Sequence, residues 1–261
     1  MSNIDYKKKT YCLMKKLPKI GTKAYHDYLS SWNEIGKFLH FVLFMVSRID
    51  NMASIAHNAL LESFAEDVEE REKLLASENS RVSMIDVLRE HKQFLMETLH
   101  VRLVDNFLNY ISSLLFEVYT KKPQTLKSGE SIDFSTLLEC DSMNSIVRIL
   151  AEIKTSKLVY KSYYDINKYF CDTLGVAVSE VNNDEIVFSI ELRNIIVHNR
   201  CLVDKRFVKK TKAEKKLIGK KFDMHIGIYE KCEYILLPKV IEFDKNVRKH
   251  LRLVGHKEIN E

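Results

Sequence analysis

The stretch Leu95-Met96-Glu97-Thr98-Leu99-His100-Val101-Arg102-Leu103-Val104-Asp105-Asn106-Phe107-Leu108-Asn109-Tyr110-Ile111-Ser112-Ser113-Leu114 decides the fold class. Leu95, Leu99, Leu103, Phe107, Tyr110, Ile111 and Leu114 share one side of an α-helix, because neighbours three and four apart stack on the same face. With Val87 upstream and Pro123 downstream, the spacing predicts one long helix from about Met84 to Tyr119. Working outward, Tyr28, Trp32, Ile35, Leu39, Val42, Met45, Ile49, Met52, Ile55, Ala59 and Leu60 keep the same rhythm between about Tyr25 and Leu75. Shorter helices are expected at Ser142–Thr155, Leu158–Leu174 and Asn183–Asn199, with Asn182, Asn183 and Asp184 offering capping side chains to the last. Phe222–Tyr229 alternates weakly, as one or two short strands would, and Lys231–Leu253 reads as a closing helix.

Composition agrees with a helical chain. Seven glycines and three prolines in 261 residues cannot supply the frequent tight turns of a sandwich, barrel or propeller. No two glycines lie close enough for a phosphate-cradling loop, which excludes the usual dinucleotide and P-loop sites. The five cysteines are widely spaced and form no C-x-x-C pair, so they read as mostly buried thiols of a reducing cytosol, with no metal site and no cofactor indicated. The basic N-terminus is not followed by the apolar core of a secretion signal. The longest apolar run, Phe38–Val46, falls short of the roughly 18 residues of a bilayer span and reads as a buried helix segment. A cytoplasmic protein that does not engage membranes is the expectation.

Three segments follow: a Lys-rich arm over residues 1–22, a helical extension over 23–80 packing on the bundle, and a main domain over 81–261. In the extension, Glu62, Glu66, Asp67, Glu69, Glu70 and Glu72 read as a solvated helical face, with a break at Ser77–Ser80. This extension either completes the bundle or holds a partner.

Chemistry concentrates in Glu191-Leu192-Arg193-Asn194-Ile195-Ile196-Val197-His198-Asn199-Arg200, where five hydrogen-bonding side chains surround three apolar ones. Its bland reading is a polar-capped helix end. Asn194 and His198, four apart, point the same way, whereas Arg193 and His198 differ by about 140° around the axis. Arg193 must therefore reach around, or another surface must complete the set. A histidine moves protons near neutral pH, and a guanidinium fork fits a phosphate and the added charge of its transition state. Together they suit phosphodiester cleavage without metal. Attack by the neighbouring 2′-hydroxyl would restrict the substrate to RNA and leave 2′,3′-cyclic phosphate and 5′-hydroxyl ends.

The segment Arg193-Asn194-Ile195-Ile196-Val197-His198 resembles the Arg-polar-x3-His signature of the HEPN superfamily (higher eukaryotes and prokaryotes nucleotide-binding domain). Leu192, Asn199, the downstream Val203-Asp204 and Phe207, and the upstream Leu103-Val104-Asp105-Asn106-Phe107-Leu108 and Pro123-Gln124-Thr125-Leu126 extend the likeness over residues 82–254. Arg200 stands where many relatives carry glycine, which leaves the form of the local turn open. The resemblance implies an all-α, HEPN-like helical bundle, to which the periodicity adds long N-terminal helices and the Phe222–Tyr229 alternation a short β-hairpin near the C-terminus. It also implies a homodimer whose motifs form a composite active site, and metal-independent endoribonuclease activity in a toxin or antiphage-defence effector, with an antitoxin or defence-system partner. His198 would be the general base or acid, Arg193 the phosphate clamp, and Asn194 the residue that orients one or the other.

Asn199, Arg200, Lys205, Arg206, Lys209 and Lys210 are the candidate RNA contacts. The basic stripe from Lys205 to Lys221 is either a plain solvated surface or a guide for a polyanion. Asp105 reads first as a helix-surface or capping residue and second as an auxiliary acid near the site, and it stays outside the catalytic set; Tyr160, Tyr163, Tyr164, Tyr169 and Phe170 read as core or dimer packing. Against the ribonuclease stands a non-catalytic HEPN module that binds RNA, nucleotide or a partner protein through the same residues, or a helical scaffold with a chance motif.

Overall fold

The computed structural model describes residues 17–126, 132–159, 161–253 and 255–257. Most of the basic arm, Tyr160 and the last four residues lie outside them. The chain is mostly helical, with α1 (Lys23–Ser63), α2 (Val68–Ser80), α3 (Met84–Glu90), α4 (Lys92–Lys121), α5 (Phe134–Leu138), α6 (Met143–Val159), α7 (Tyr163–Asp172), α8 (Asn183–Asn199), α9 (Lys205–Thr211) and α10 (Ile226–Leu251).

The stretch that set the fold class is the axis of the bundle. In α4, Leu103, Val104, Phe107, Ile111, Leu114, Leu115 and Val118 are buried, and the helix packs on α1, α6, α8 and α10. Polar anchors fix the register of this packing: Tyr110 donates its hydroxyl to the Val240 carbonyl (3.1 Å), and His100 Nε2 meets the Ser189 carbonyl (3.0 Å). The root of α1 is clamped by Asp244 of α10, which is buried. Its carboxylate accepts from the Thr22 amide (2.9 Å), the Thr22 hydroxyl (2.6 Å) and Arg248 Nε (2.7 Å). Thr22 also caps α1 by accepting from the Tyr25 amide at 3.1 Å.

Several boundaries differ from the sequence expectation, each for a local reason. The helix expected from Met84 is two helices separated at His91, because Asp50 of α1 captures the start of α3 through Ser83 Oγ (2.7 Å) and the Met84 amide (2.8 Å), while α4 follows the core. The acidic stretch is no continuous helical face: Asp67 caps a new helix by accepting from the Glu70 amide (3.1 Å), with Glu69 and Glu70 in its first turn. That helix then runs through Ser77, the expected break. A Ser162–Asp165 capping box starts α7 at Tyr163 inside the helix predicted for Leu158–Leu174. The Phe222–Tyr229 strands are absent: the Cys201–Val203 segment makes a single bridge, Leu202 with Lys221, and Tyr229, Cys232, Leu236, Val240, Phe243 and Val247 already follow the helical spacing of α10. The expected C-terminal hairpin is replaced by an antiparallel ladder between β1 (Ile20–Gly21) and β2 (His256–Lys257).

The largest correction concerns Phe38–Val46. It is not buried: only the first turns of α1, at Ala24, Tyr25, Tyr28 and Trp32, enter the core, and Phe38, Phe41, Leu43, Phe44 and Met45 are exposed. Beyond Trp32 the cover thins: Ile35 and Leu39 still pack against the core margin, and α2 and α3 lie against one side of the helix. Among the described residues it is the one helix long and apolar enough by length and composition to cross a membrane.

Candidate functional site

Arg193, Asn194 and His198 line one cleft of about 680 Å³, formed by α4, α7, α8 and α9. The 140° between Arg193 and His198 is therefore bridged within a single chain. What holds Arg193 is Asp105 of α4: its carboxylate accepts from Arg193 Nε at 2.7 Å. Arg193 Nη1 also donates to Asn194 Oδ1 at 3.3 Å. These bonds fix the guanidinium plane near the helix surface, with roughly a quarter of the Arg193 side chain still open to solvent. His198 is exposed at the rim, one turn beyond Asn194.

The far wall is a second stripe of α4. Arg102, Asp105 and Asn109 follow the three-and-four spacing and face the cleft, while the opposite side of the helix fills the core. Sequence reasoning placed Asp105 on a helix surface or cap and did not single out Arg102 or Asn109. The available signal was a polar stripe at helical spacing on an otherwise apolar helix. Lys161 and Tyr164 complete the rim, and the Tyr164 hydroxyl donates to Asp184. Of the expected aromatics, Tyr163 and Phe170 are core residues, Tyr169 packs at the core margin, and Tyr164 is exposed.

The downstream phrase is structural. Asp204 caps α9 by accepting from the Phe207 amide (2.6 Å), and Phe207 is fully buried edge-on to Phe188 and Phe222. Arg206 and Lys210, one turn apart on α9, then face the cleft and meet the buried Glu191 carboxylate, Arg206 at 3.7 Å and Lys210 by a short hydrogen bond. Lys205 and Lys209 are exposed and do not line the cleft. Asn199 and Arg200 also lie outside the cleft wall. Asn199 Nδ2 donates to the Leu202 carbonyl (2.7 Å), and Arg200 adopts a left-handed conformation (φ 51°) as the Cys201 amide bonds the Ile195 carbonyl (2.9 Å). The arginine thus makes the left-handed helix stop for which glycine is the usual residue. Asn182 does not cap α8 through its side chain and is itself left-handed.

Arg102, Lys161, Arg193, Arg206 and Lys210 face Asp105 and Glu191, so cations outnumber carboxylates in the cleft. A surplus of this kind in a concave site attracts anions. A buried histidine of α4, His100, has its pKa lowered to about 4 by burial and meets the Ser189 carbonyl. Among the described residues no three His, Cys, Asp or Glu side chains are grouped as metal ligands would be. No protein-family model matches the sequence, and neither a curated protein nor a solved structure matches it.

Proposed function

We propose that the protein is a metal-independent endoribonuclease of HEPN type. The observation that carries this reading is the convergence of Arg193, Asn194 and His198 on one cleft in which cations outnumber carboxylates. An RNA phosphate seated against Arg193, with Arg102 and Lys161 as further cations, meets a guanidinium suited to the charge of a pentacoordinate transition state. His198 takes the proton from the 2′-hydroxyl as it attacks phosphorus, or returns one to the departing 5′-oxygen. The phosphorus–O5′ bond breaks as the phosphorus–O2′ bond forms, leaving 2′,3′-cyclic phosphate and 5′-hydroxyl ends. Asp105 acts as a positioning residue, holding Arg193 through its Nε. In the same reading two copies face each other over their clefts, and the activity serves a toxin or defence effector restrained by a partner.

One observation favours a second reading. Two nitrogens of Arg193 are already bonded to Asp105 and Asn194, which suits a module that binds RNA without cutting it. Incubating a mixed RNA pool with the chain and with His198→Ala in EDTA separates the two. Cutting by the wild type that yields cyclic-phosphate ends and drops by about 10² or more in the variant supports the nuclease. Binding by both proteins with cutting by neither supports the module, and equal cutting by both removes His198 from the chemistry.

A further inference from the structure

The part of α1 outside the core has two faces. Ile35, Leu39, Val42, Val46, Asp50, Ala53, His57 and Leu61 are half-buried. On this side Asp50 grips the start of α3, and the Ser83 hydroxyl and Met84 amide hold its carboxyl below the usual range. The other face is bare and apolar. Phe38, Phe41, Met45, Arg48, Met52, Ile55 and Ala59 alternate at intervals of three and four, which is the heptad spacing of a coiled-coil seam. Phe41 is 57% exposed, Met52 60% and Ile55 68%, and Phe44 and Ile49 flank the line. From Phe38 to Leu61 the only formal charges are Arg48 and Asp50, and Asp50 lies on the packed face.

We propose that this seam pairs with the same seam of a second copy, antiparallel. Exposed side chains of this size bring roughly 700 Å² to the face, close to the about 800 Å² per partner of a standard stable interface. The order of residues selects the direction. Antiparallel pairing sets Phe41 on the partner's Ala59, Met45 on the partner's Ile55 and Arg48 on the partner's Met52, so Phe41 meets a small residue, the two arginines fall in different layers, and Phe38 reaches the partner's Glu62 at the end of the seam. Parallel pairing in register stacks Phe on Phe and opposes the arginines directly, with no carboxylate in the seam to offset them. A lipid surface is the other apolar environment the seam can meet. However, α2, with Glu69, Glu70, Glu72 and Lys73, packs on the same helix, so a bilayer deep enough to take the seam has to accommodate those charges. The seam is distinct from the cleft, and the proposal stands or falls independently of RNA cleavage.

Sedimentation of the full chain across the micromolar range is expected to show self-association, with Met45→Glu/Met52→Glu weakening one association step at least about a hundredfold while the helical circular dichroism stays unchanged. If that variant does not fold, Arg48→Leu serves instead and is expected to tighten the dimer about tenfold. Oxidising a mixture of Arg48→Cys and Met52→Cys proteins should cross-link residue 48 to residue 52 between chains, with neither variant cross-linking to itself. Self-linked variants overturn the antiparallel register. Self-association that Met45→Glu/Met52→Glu leaves unchanged, or that Arg48→Leu fails to tighten, does not use the seam and overturns the proposal; a step lost in the variant while pairing over the clefts persists supports it. A monomer, whether it stays in solution or floats with phosphatidylglycerol vesicles, also overturns the proposal.

Discussion

Arg200 illustrates how a single residue carries both strain and opportunity. A side chain in the left-handed region costs about 1 kcal/mol relative to glycine, so Arg200→Gly should raise stability by up to about that amount in urea unfolding. A loss of stability would mean that the arginine side chain contributes more than its backbone costs. Asp105 makes a different prediction, because its carboxylate holds the Arg193 guanidinium from outside α8. Asp105→Asn should lower RNA cleavage by about tenfold with the melting temperature nearly unchanged, since the pair is partly solvent-exposed and contributes little to folding. Unchanged cleavage would show that Asn194 and the helix suffice to position Arg193. The segment itself was legible, because a concentration of hydrogen-bonding side chains beside a buried helix face stands out in the sequence. Asp105 was not, since it lies 88 residues away in sequence and only tertiary packing brings it to Arg193.

Between elements, the contact of α4 with α8 gives a pH signature. Burial lowers the His100 pKa to about 4, so between pH 6.5 and 4 the unfolded chain binds a proton that the folded chain refuses. The contribution is complete above about pH 6.5 and is lost as pH falls, by about 3 kcal/mol at pH 4. Stability curves of the wild type and His100→Asn over this range should converge as the pH drops, and parallel curves would remove His100 as the cause. The long helices were readable from periodicity, whereas the short α5 and α9 and most helix ends were not. Asp67 and Ser162 each begin a helix inside a rhythm that looked continuous, because a local cap outweighs one more turn of helix. The burial of Phe38–Val46 was misjudged for a related reason. Apolar spacing identifies a face, but what covers that face is set by where the neighbouring helices lie.

At the scale of the molecule, the bundle is joined to its projecting helix through the buried carboxylate of Asp244. Removing it strands the Thr22 amide and hydroxyl and leaves the Arg248 guanidinium without its partner. Asp244→Ala should therefore cost about 3–5 kcal/mol in equilibrium unfolding, and a cost below 1 kcal/mol would show that the β1–β2 ladder alone seats the root of α1. The mostly helical class was legible from glycine scarcity and one helix, while the two-residue ladder was invisible, since no alternation survives in strands so short. That ladder has a topological consequence. Ile20 lies beside Lys257 and Gly21 beside His256, so the backbone enters and leaves the bundle at one point, side by side. The fold is nearly a closed circuit of chain: cargo attached before β1 and cargo attached after β2 would occupy the same small region of space, and either would be felt by the other.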